Sequence, residues 1–151
     1  MKGVWTEDLE LMSQLSDAIL YSMTAFPKKI VHTDELVRDH GLPFSQIQLL
    51  ALLSTKDVTV TEAARHLNVA KTNLALLVKH LYEKGYIERQ PDVKDKRKVC
   101  LHLSEQGRKK YNTIKDSVIE QISKMENDFS RSEIKILYKS ISQINHVLYR
   151  L

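Results

Sequence analysis

The chain has 151 residues, 42% hydrophobic and 28% charged, with four Gly and three Pro, a make-up that excludes a disordered chain and fits one helix-rich domain with its own core. No apolar run is longer than that of Leu49–Leu53, which is far short of a membrane span, and the single cysteine, Cys100, excludes an intrachain disulfide or a cysteine-based zinc cluster. The net charge of +4 is uneven: residues 56–110 hold 13 Lys and Arg against 7 Asp and Glu, and the rest hold 10 against 12, as expected where one part of a chain faces phosphates.

Near the start stand Glu7, Asp8 and Glu10, where a secretory leader would be basic and then apolar. The expected location is the cytoplasm. Trp5–Phe26 reads as a helix with two apolar rows: Trp5, Leu9, Met12, Ile19, Met23 and Phe26, and beside them Leu11, Leu15 and Ala18. Two rows mean cover on more than one side, and in a chain this small a second copy of the protein can supply it. Pro27 is expected to break or kink this helix, and Lys28–His40 to form a further helical stretch ended by Gly41. Ser45 and Gln48 have the spacing of a capping box, with Phe44 and Leu49 as its hydrophobic staple. The helix they open should run to about Thr55, and its Ile47, Leu49, Leu50, Leu52 and Leu53 mark it as the floor of the domain.

Val58-Thr59-Val60 is a short strand candidate. After it come an apolar helix pattern (Ala63, Ala64, Leu67), a turn at Asn68-Val69, and a second helix with Leu74, Leu77, Val78 and Leu81, closed by Gly85. Tyr86–Arg89, the polar stretch Gln90–Lys98 and the alternating Val99, Leu101 and Leu103 then make a hairpin, the natural partner of the first strand. A helix-turn-helix backed by a hairpin is a winged helix, whose usual use is to put the second helix into a DNA major groove. Lys71, Thr72 and Asn73 would approach base edges, with Leu76, Lys79 and His80 on the same face one and two turns on. The hairpin tip holds Lys94, Lys96, Arg97 and Lys98 against Asp92 and Asp95, and alternation puts Arg97 on the side opposite Lys96 and Lys98.

Ser104 opens a long helix with Tyr111, Ile114, Val118, Ile122, Met125 and Phe129 three or four residues apart. Ser130 and Glu133 form a second capping box, with Phe129 and Ile134 as its staple. The last helix places Ile134, Leu137, Ile141, Ile144, Leu148 and Leu151 at alternating steps of three and four, a heptad seam. An intramolecular core helix has the same spacing. The matching apolar excess at the other end of the chain points instead to one dimerisation platform, with Leu9, Met12, Ile19, Ile134, Leu137, Ile141, Ile144 and Leu148 as its contacts. The expected fold is mainly α with a small β-hairpin wing. Its parts are N-terminal dimerisation helices (1–42), a winged helix-turn-helix DNA-binding domain (43–104) and C-terminal dimerisation helices (105–151).

The stretch Val58–Gly107 resembles the DNA-binding domain of the MarR family of bacterial transcription regulators. The family's wing carries Asp, any residue and Arg, then Leu-x-Leu-Thr/Ser and a nearby Gly. Here these stand as Asp95-Lys96-Arg97, Leu101-His102-Leu103-Ser104 and Gly107, preceded by Arg89 and Pro91-Asp92, and the flanking helices have the family's order and lengths. The resemblance implies a homodimeric regulator, a repressor, on a pseudo-palindromic double-stranded DNA operator. It implies that Arg97 enters a minor groove while Asp95 holds the loop in shape. It also implies a ligand or stress signal that changes the separation of the two DNA-binding lobes, which must match about one helical turn, ~34 Å. An effector pocket would lie between the dimerisation helices and the DNA-binding lobe, with Tyr21, Phe26 and Tyr111 as candidate lining residues. The chain departs from the pattern at Ala70, where the family has a Ser-like cap, and at Ala75 and Leu76, where it has polar residues or Arg.

Those apolar positions favour an alternative, a winged-helix module that binds a protein partner, while the basic wing opposes it. The six histidines contain no i, i+3 or i, i+4 pair, so no helical metal site is written in the sequence. Cys100 reads as a buried or half-buried thiol of the wing strand rather than an oxidation sensor. With no Gly-rich phosphate loop, Ser-His-Asp set or paired catalytic carboxylates, neither an enzyme nor a cofactor is expected.

Overall fold

The computed structural model describes residues 9–93 and 95–149, apart from the side chains of Pro27 and Lys28. Expectations resting on Trp5, Lys94 and Leu151 lie outside the described residues. Helix α1 (Leu9–Lys29) continues two residues past Pro27 instead of stopping there. A proline forfeits one backbone donor, and this one stands in the final turn, where the amides of Ile30 and Val31 close on the Phe26 carbonyl at 3.1 and 3.3 Å. The interruption therefore falls at residues 30–32, and α2 spans Thr33–His40 rather than starting at Lys28. It ends as expected at Gly41, whose φ of 62° allows its N–H to bond the Val37 carbonyl.

Helix α3 (Phe44–Thr55) begins one residue before the expected Ser45 cap, and Pro43 takes the N-cap place with no side-chain cap bond. Ser45 thus lies inside the first turn, past the position from which a hydroxyl can cap, and the expected capping box does not form. Phe44, its expected staple, is 41% exposed. Ile47, Leu49, Leu50 and Leu53 form the floor of the core, but Leu52 is only partly buried and Gln46 is buried instead.

Strand β1 is Val58–Thr59, and Val60 already belongs to α4 (Val60–His66). The reason is a capping box: Thr59 Oγ1 accepts from the Glu62 amide, and the Glu62 carboxylate accepts from the Thr59 amide at 2.7 Å. Asn68, in the left-handed region at φ 50°, turns the chain toward α5 (Lys71–Glu83). Strands β2 (Ile87–Pro91) and β3 (Val99–Leu103) form the wing hairpin, and β1 pairs antiparallel with β3 through Val58 with Leu101 and Thr59 with Cys100. Leu74, Val78 and Leu81 of α5 are buried in one cluster with Leu49, Leu50, Ala63, Ile87 and Leu101. Each large side chain so buried contributes about 1.5–3 kcal/mol. The inner face of α5 is therefore fixed, and its outer face is left to other uses.

Helix α6 (Glu105–Ser123) starts against the end of the recognition unit. Ser104 caps it by accepting from the Gly107 amide at 2.9 Å, while the Ser104 amide donates to the Tyr86 carbonyl and its hydroxyl to the Gly85 carbonyl. At Gly107 a Cβ would lie 1.8 Å from the Tyr86 oxygen, so only glycine permits this approach. The helix stops at Ser123, six residues short of Phe129, because the chain tightens into a 3-10 turn at Lys124–Asn127 that buries Met125. The Ser130–Glu133 capping box then starts α7 (Arg131–Leu148) as expected. Helices α1 and α7 pack only marginally on the other described elements, and α7 has no buried residue. Within the protomer α7 is thus not a core helix. Among the described residues no helix is long and apolar enough to cross a membrane.

Candidate nucleic-acid interface

The outer face of α5 carries all six candidate reading residues, Lys71, Thr72, Asn73, Leu76, Lys79 and His80, and all are exposed. Ala70 at the N-cap gives no side-chain bond. The first-turn amides, which form the positive end of the helix dipole, are therefore left uncapped on the side of Lys71, Thr72 and Asn73. Leu76 is 57% exposed, an apolar side chain in the middle of this face. Lys79 lies 3.8 Å from Glu83 one turn on. His80 is tethered inward: Gln46 Nε2 of α3 stands 3.5 Å from His80 Nδ1, an arrangement that suits an Nδ1 acceptor with the ring proton on the outward Nε2. No sequence motif singles out Gln46. A polar residue in an apolar run reads as solvent-facing, and only the packing of α3 under α5 buries it, with its Oε1 lacking a hydrogen-bond partner among the described residues.

Two aspartates knit the wing tip. Asp92 Oδ1 accepts from the Asp95 amide at 2.8 Å, and Asp95 Oδ1 accepts from both the amide and the Nε of Arg97, each at 3.1 Å. The Lys98 amide bonds the Asp95 carbonyl, and the Asp92 amide bonds the Lys98 carbonyl. Arg97 is thereby held at both backbone and side chain while remaining 91% exposed. Its side-chain bond, helped by its amide, keeps the Asp95 carboxyl below the usual range. Lys98 reaches Asp95 at 4.0 Å, Lys96 is exposed, and Lys94 lies outside the described residues. Behind the tip, His102 Nδ1 of β3 contacts Asp57 Oδ2 at 2.9 Å and braces the wing against the approach to β1. Cys100 is half-buried, and burial, with Asp57 and Asp92 nearby, raises its thiol pKa. The described residues contain no group of three or more His, Cys, Asp or Glu able to hold a metal ion.

Of the candidate dimerisation residues, Leu9, Ile19, Ile144 and Leu148 are exposed, while Met12, Ile134, Leu137 and Ile141 are partly covered. A cleft of about 630 Å³ lies where α3, α4, α6 and the end of α7 meet, lined among others by Lys56, His66, Tyr111, Asn145 and Tyr149. The rings of His66 and Tyr149 are 5.1 Å apart, joining the end of α7 to the helix-turn-helix. Burial, then the Lys56 charge, holds the His66 imidazole below its ordinary value. Tyr111 lines this cleft, whereas Tyr21 is 75% and Phe26 40% exposed on α1.

The model of the MarR family matches residues 40–98, which run from the end of α2 to the wing tip. Over 130 residues the chain is 25% identical to the HTH-type transcriptional repressor YetL of Bacillus subtilis (strain 168), covering 83% of this chain and 78% of that one. Its fold is shared with a MarR transcriptional regulator from Methanosarcina mazei Go1 (TM-score 0.68, 21% identity, covering 92% of this chain and 99% of that one). NadR, solved in complex with 4-hydroxyphenylacetate, has the same fold at TM-score 0.69 and 18% identity, over 83% of this chain and 89% of that one. Residues 40–98, which hold the helix-turn-helix and most of the wing, thus match the MarR family of DNA-binding transcription regulators, and the chain shares the fold of solved MarR regulators.

Proposed function

We propose that the protein is a cytoplasmic repressor that binds a pseudo-palindromic DNA operator as a homodimer. In this reading Lys71, Thr72, Asn73, Leu76, Lys79 and His80 work in the major groove, and Lys94, Asp95, Lys96, Arg97 and Lys98 form the wing. Residues 43–104 are the DNA-binding part, and 1–42 with 105–151 the dimerisation part. The observation that supports it most is Arg97, a guanidinium held by Asp95 at an otherwise open tip. A narrow minor groove is where negative potential is strongest, and a pre-positioned Arg suits it. The exposed apolar faces of α1 and α7, through Leu9, Ile19, Ile144 and Leu148, support the dimer.

The likeness to a repressor supports the sign of regulation, and NadR's bound ligand supports an effector for this chain as well. The cleft at His66 and Tyr149 is a suitable place for one, because a molecule there would touch both a dimerisation helix and the helix-turn-helix. Moving α7 against α4 changes the spacing of the two recognition helices, which must stay near ~34 Å.

A second reading, a protein-binding module, is favoured by exposed Leu76 beside Ala75. Titrating the protein into random and protein-selected duplexes at two salt concentrations decides between them, with sedimentation run alongside. Affinity falling steeply with salt, a preference for selected duplex and a dimer at micromolar concentration are the expected results. Salt-independent or absent duplex binding would put the protein-binding module first.

A further inference from the structure

Along β2 the side chains of Ile87, Arg89 and Pro91 share one face. Ile87 is buried in the core with α5, and Arg89, two residues on, overhangs the core's edge, opposite Leu101 of β3. Val99, on the same face of β3, is 43% exposed. Helix α5 turns Ala75, Lys79 and Tyr82 to this side, at steps of four and three. Between helix and wing runs a cleft of about 340 Å³ lined by Val60, Ala75, Val78, Lys79, Arg89 and Val99. The guanidinium carbon of Arg89 sits 5.0 Å from the centre of the Tyr82 ring. Among the described residues no carboxylate pairs with Arg89, in contrast to Lys79 and Arg97. A guanidinium laid on a ring keeps the N–H groups along its edges for an acceptor, and stacking fixes where they point.

A duplex that receives α5 in its major groove and Arg97 in the adjoining minor groove must pass the intervening sugar-phosphate strand between helix and wing. The cleft stands at that crossing, with apolar Ala75 and Val99 as walls and Arg89 and Lys79 as cations. We propose that Arg89 clamps one backbone phosphate there, that Tyr82 is the positioning residue holding its guanidinium, and that the apolar walls receive the adjoining deoxyribose. The proposal rests on the DNA-reading function above and adds an interaction blind to base identity.

The test is fluorescence anisotropy of the full chain on two labelled duplexes, one selected by the wild-type protein from a random library and one of random sequence, across a salt series. Arg89→Ala should lose roughly tenfold per protomer on both duplexes, and the slope of log affinity against log salt should flatten by about 0.9 for each phosphate that is no longer neutralised. Arg89→Gln keeps the stem over the ring and should show the same loss if the alanine variant folds poorly. Tyr82→Phe keeps the ring and should bind like wild type; Tyr82→Leu should weaken binding on both duplexes with its melting curve unchanged. Wild-type affinity and slope in both Arg89 variants, beside a steeply salt-dependent wild type, would overturn the clamp and leave the DNA-reading function standing. A loss confined to the selected duplex would make Arg89 a base reader and overturn it equally. Tyr82→Phe as weak as Tyr82→Leu would overturn the positioning role. A wild type with no salt-dependent binding would remove the parent reading itself.

Discussion

Replacing Gly107 with Ala tests the way the wing is anchored to α6. In an ordinary helix interior this exchange stabilises by about 1 kcal/mol. Here the new Cβ would lie 1.8 Å from the Tyr86 carbonyl oxygen and 2.7 Å from its carbon. A carbon and an oxygen rest no closer than about 3.3 Å, so the start of α6 must retreat from Tyr86 by more than an ångström. That retreat breaks two bonds, from the Ser104 amide to Tyr86 and from its hydroxyl to Gly85, costing about 1 kcal/mol each. It also disturbs packing at Ile87 and Leu103 beside the junction, costing about 1–3 kcal/mol more by analogy with overpacked cores. Set against the helix gain, the net loss is about 2–4 kcal/mol, or roughly 5–15 °C in Tm for a chain of this size. Thermal and urea unfolding at one protein concentration measure it. Gly41→Ala is the control: at φ +62° with nothing within 4 Å, it should cost only the left-handed penalty, about 1–2 kcal/mol. A Gly107→Ala variant as stable as wild type would refute the reasoning.

Arg97→Ala should weaken binding to the selected duplex and flatten its salt slope by about 0.9 per protomer, whereas Asp95→Ala should give a milder loss with the slope nearly unchanged; wild-type binding by Arg97→Ala would take the wing off the DNA. Thr72→Ala or Asn73→Ala should cost about 1–3 kcal/mol on the selected duplex and far less on random DNA, and equal losses on both would reduce these residues to phosphate binders. Leu148→Asp, at a position 59% exposed in the protomer, should sediment as a monomer with an intact fold, and an unchanged dimer would move the interface elsewhere. His66 has its pKa lowered in the folded state, so its contribution is fully present above the unfolded value of 6.5 and is lost as pH falls below it through the lower folded value. Hydrogen-exchange protection at the end of α7, taken relative to the intrinsic rate at each pH, should accordingly fall on acidification in the wild type and do so less in His66→Gln; identical pH profiles would mean that the His66–Tyr149 pair does not hold α7.

The parts readable in the sequence were those written in short-range chemistry. The Ser130–Glu133 box, the Gly41 cap and the pattern of Leu74, Val78 and Leu81 each depend on residues at most four apart, so local spacing carries them. Local rules failed where two of them competed. Ser45 and Gln48 had capping-box spacing, but Pro43 takes the N-cap place two residues before Ser45. Thr59 and Glu62 had the same spacing, yet the β-branched run Val58-Thr59-Val60 read as strand, and the box won from Val60 onward. Pro27 did not end α1 because it stands in the final turn, where few helical bonds remain to be lost.

By itself, then, the sequence determined the order of the elements, the basic middle and the aspartate-braced arginine of the wing, because periodicity, charge and turn chemistry act over a few residues. Only the tertiary structure decided that Gln46 is buried beneath His80, that Gly107 touches Tyr86, that Tyr149 meets His66 and that Arg89 lies over Tyr82. These pairs stand from 7 to 83 residues apart along the chain. No spacing rule reaches across a turn whose geometry is set by the burial of other side chains.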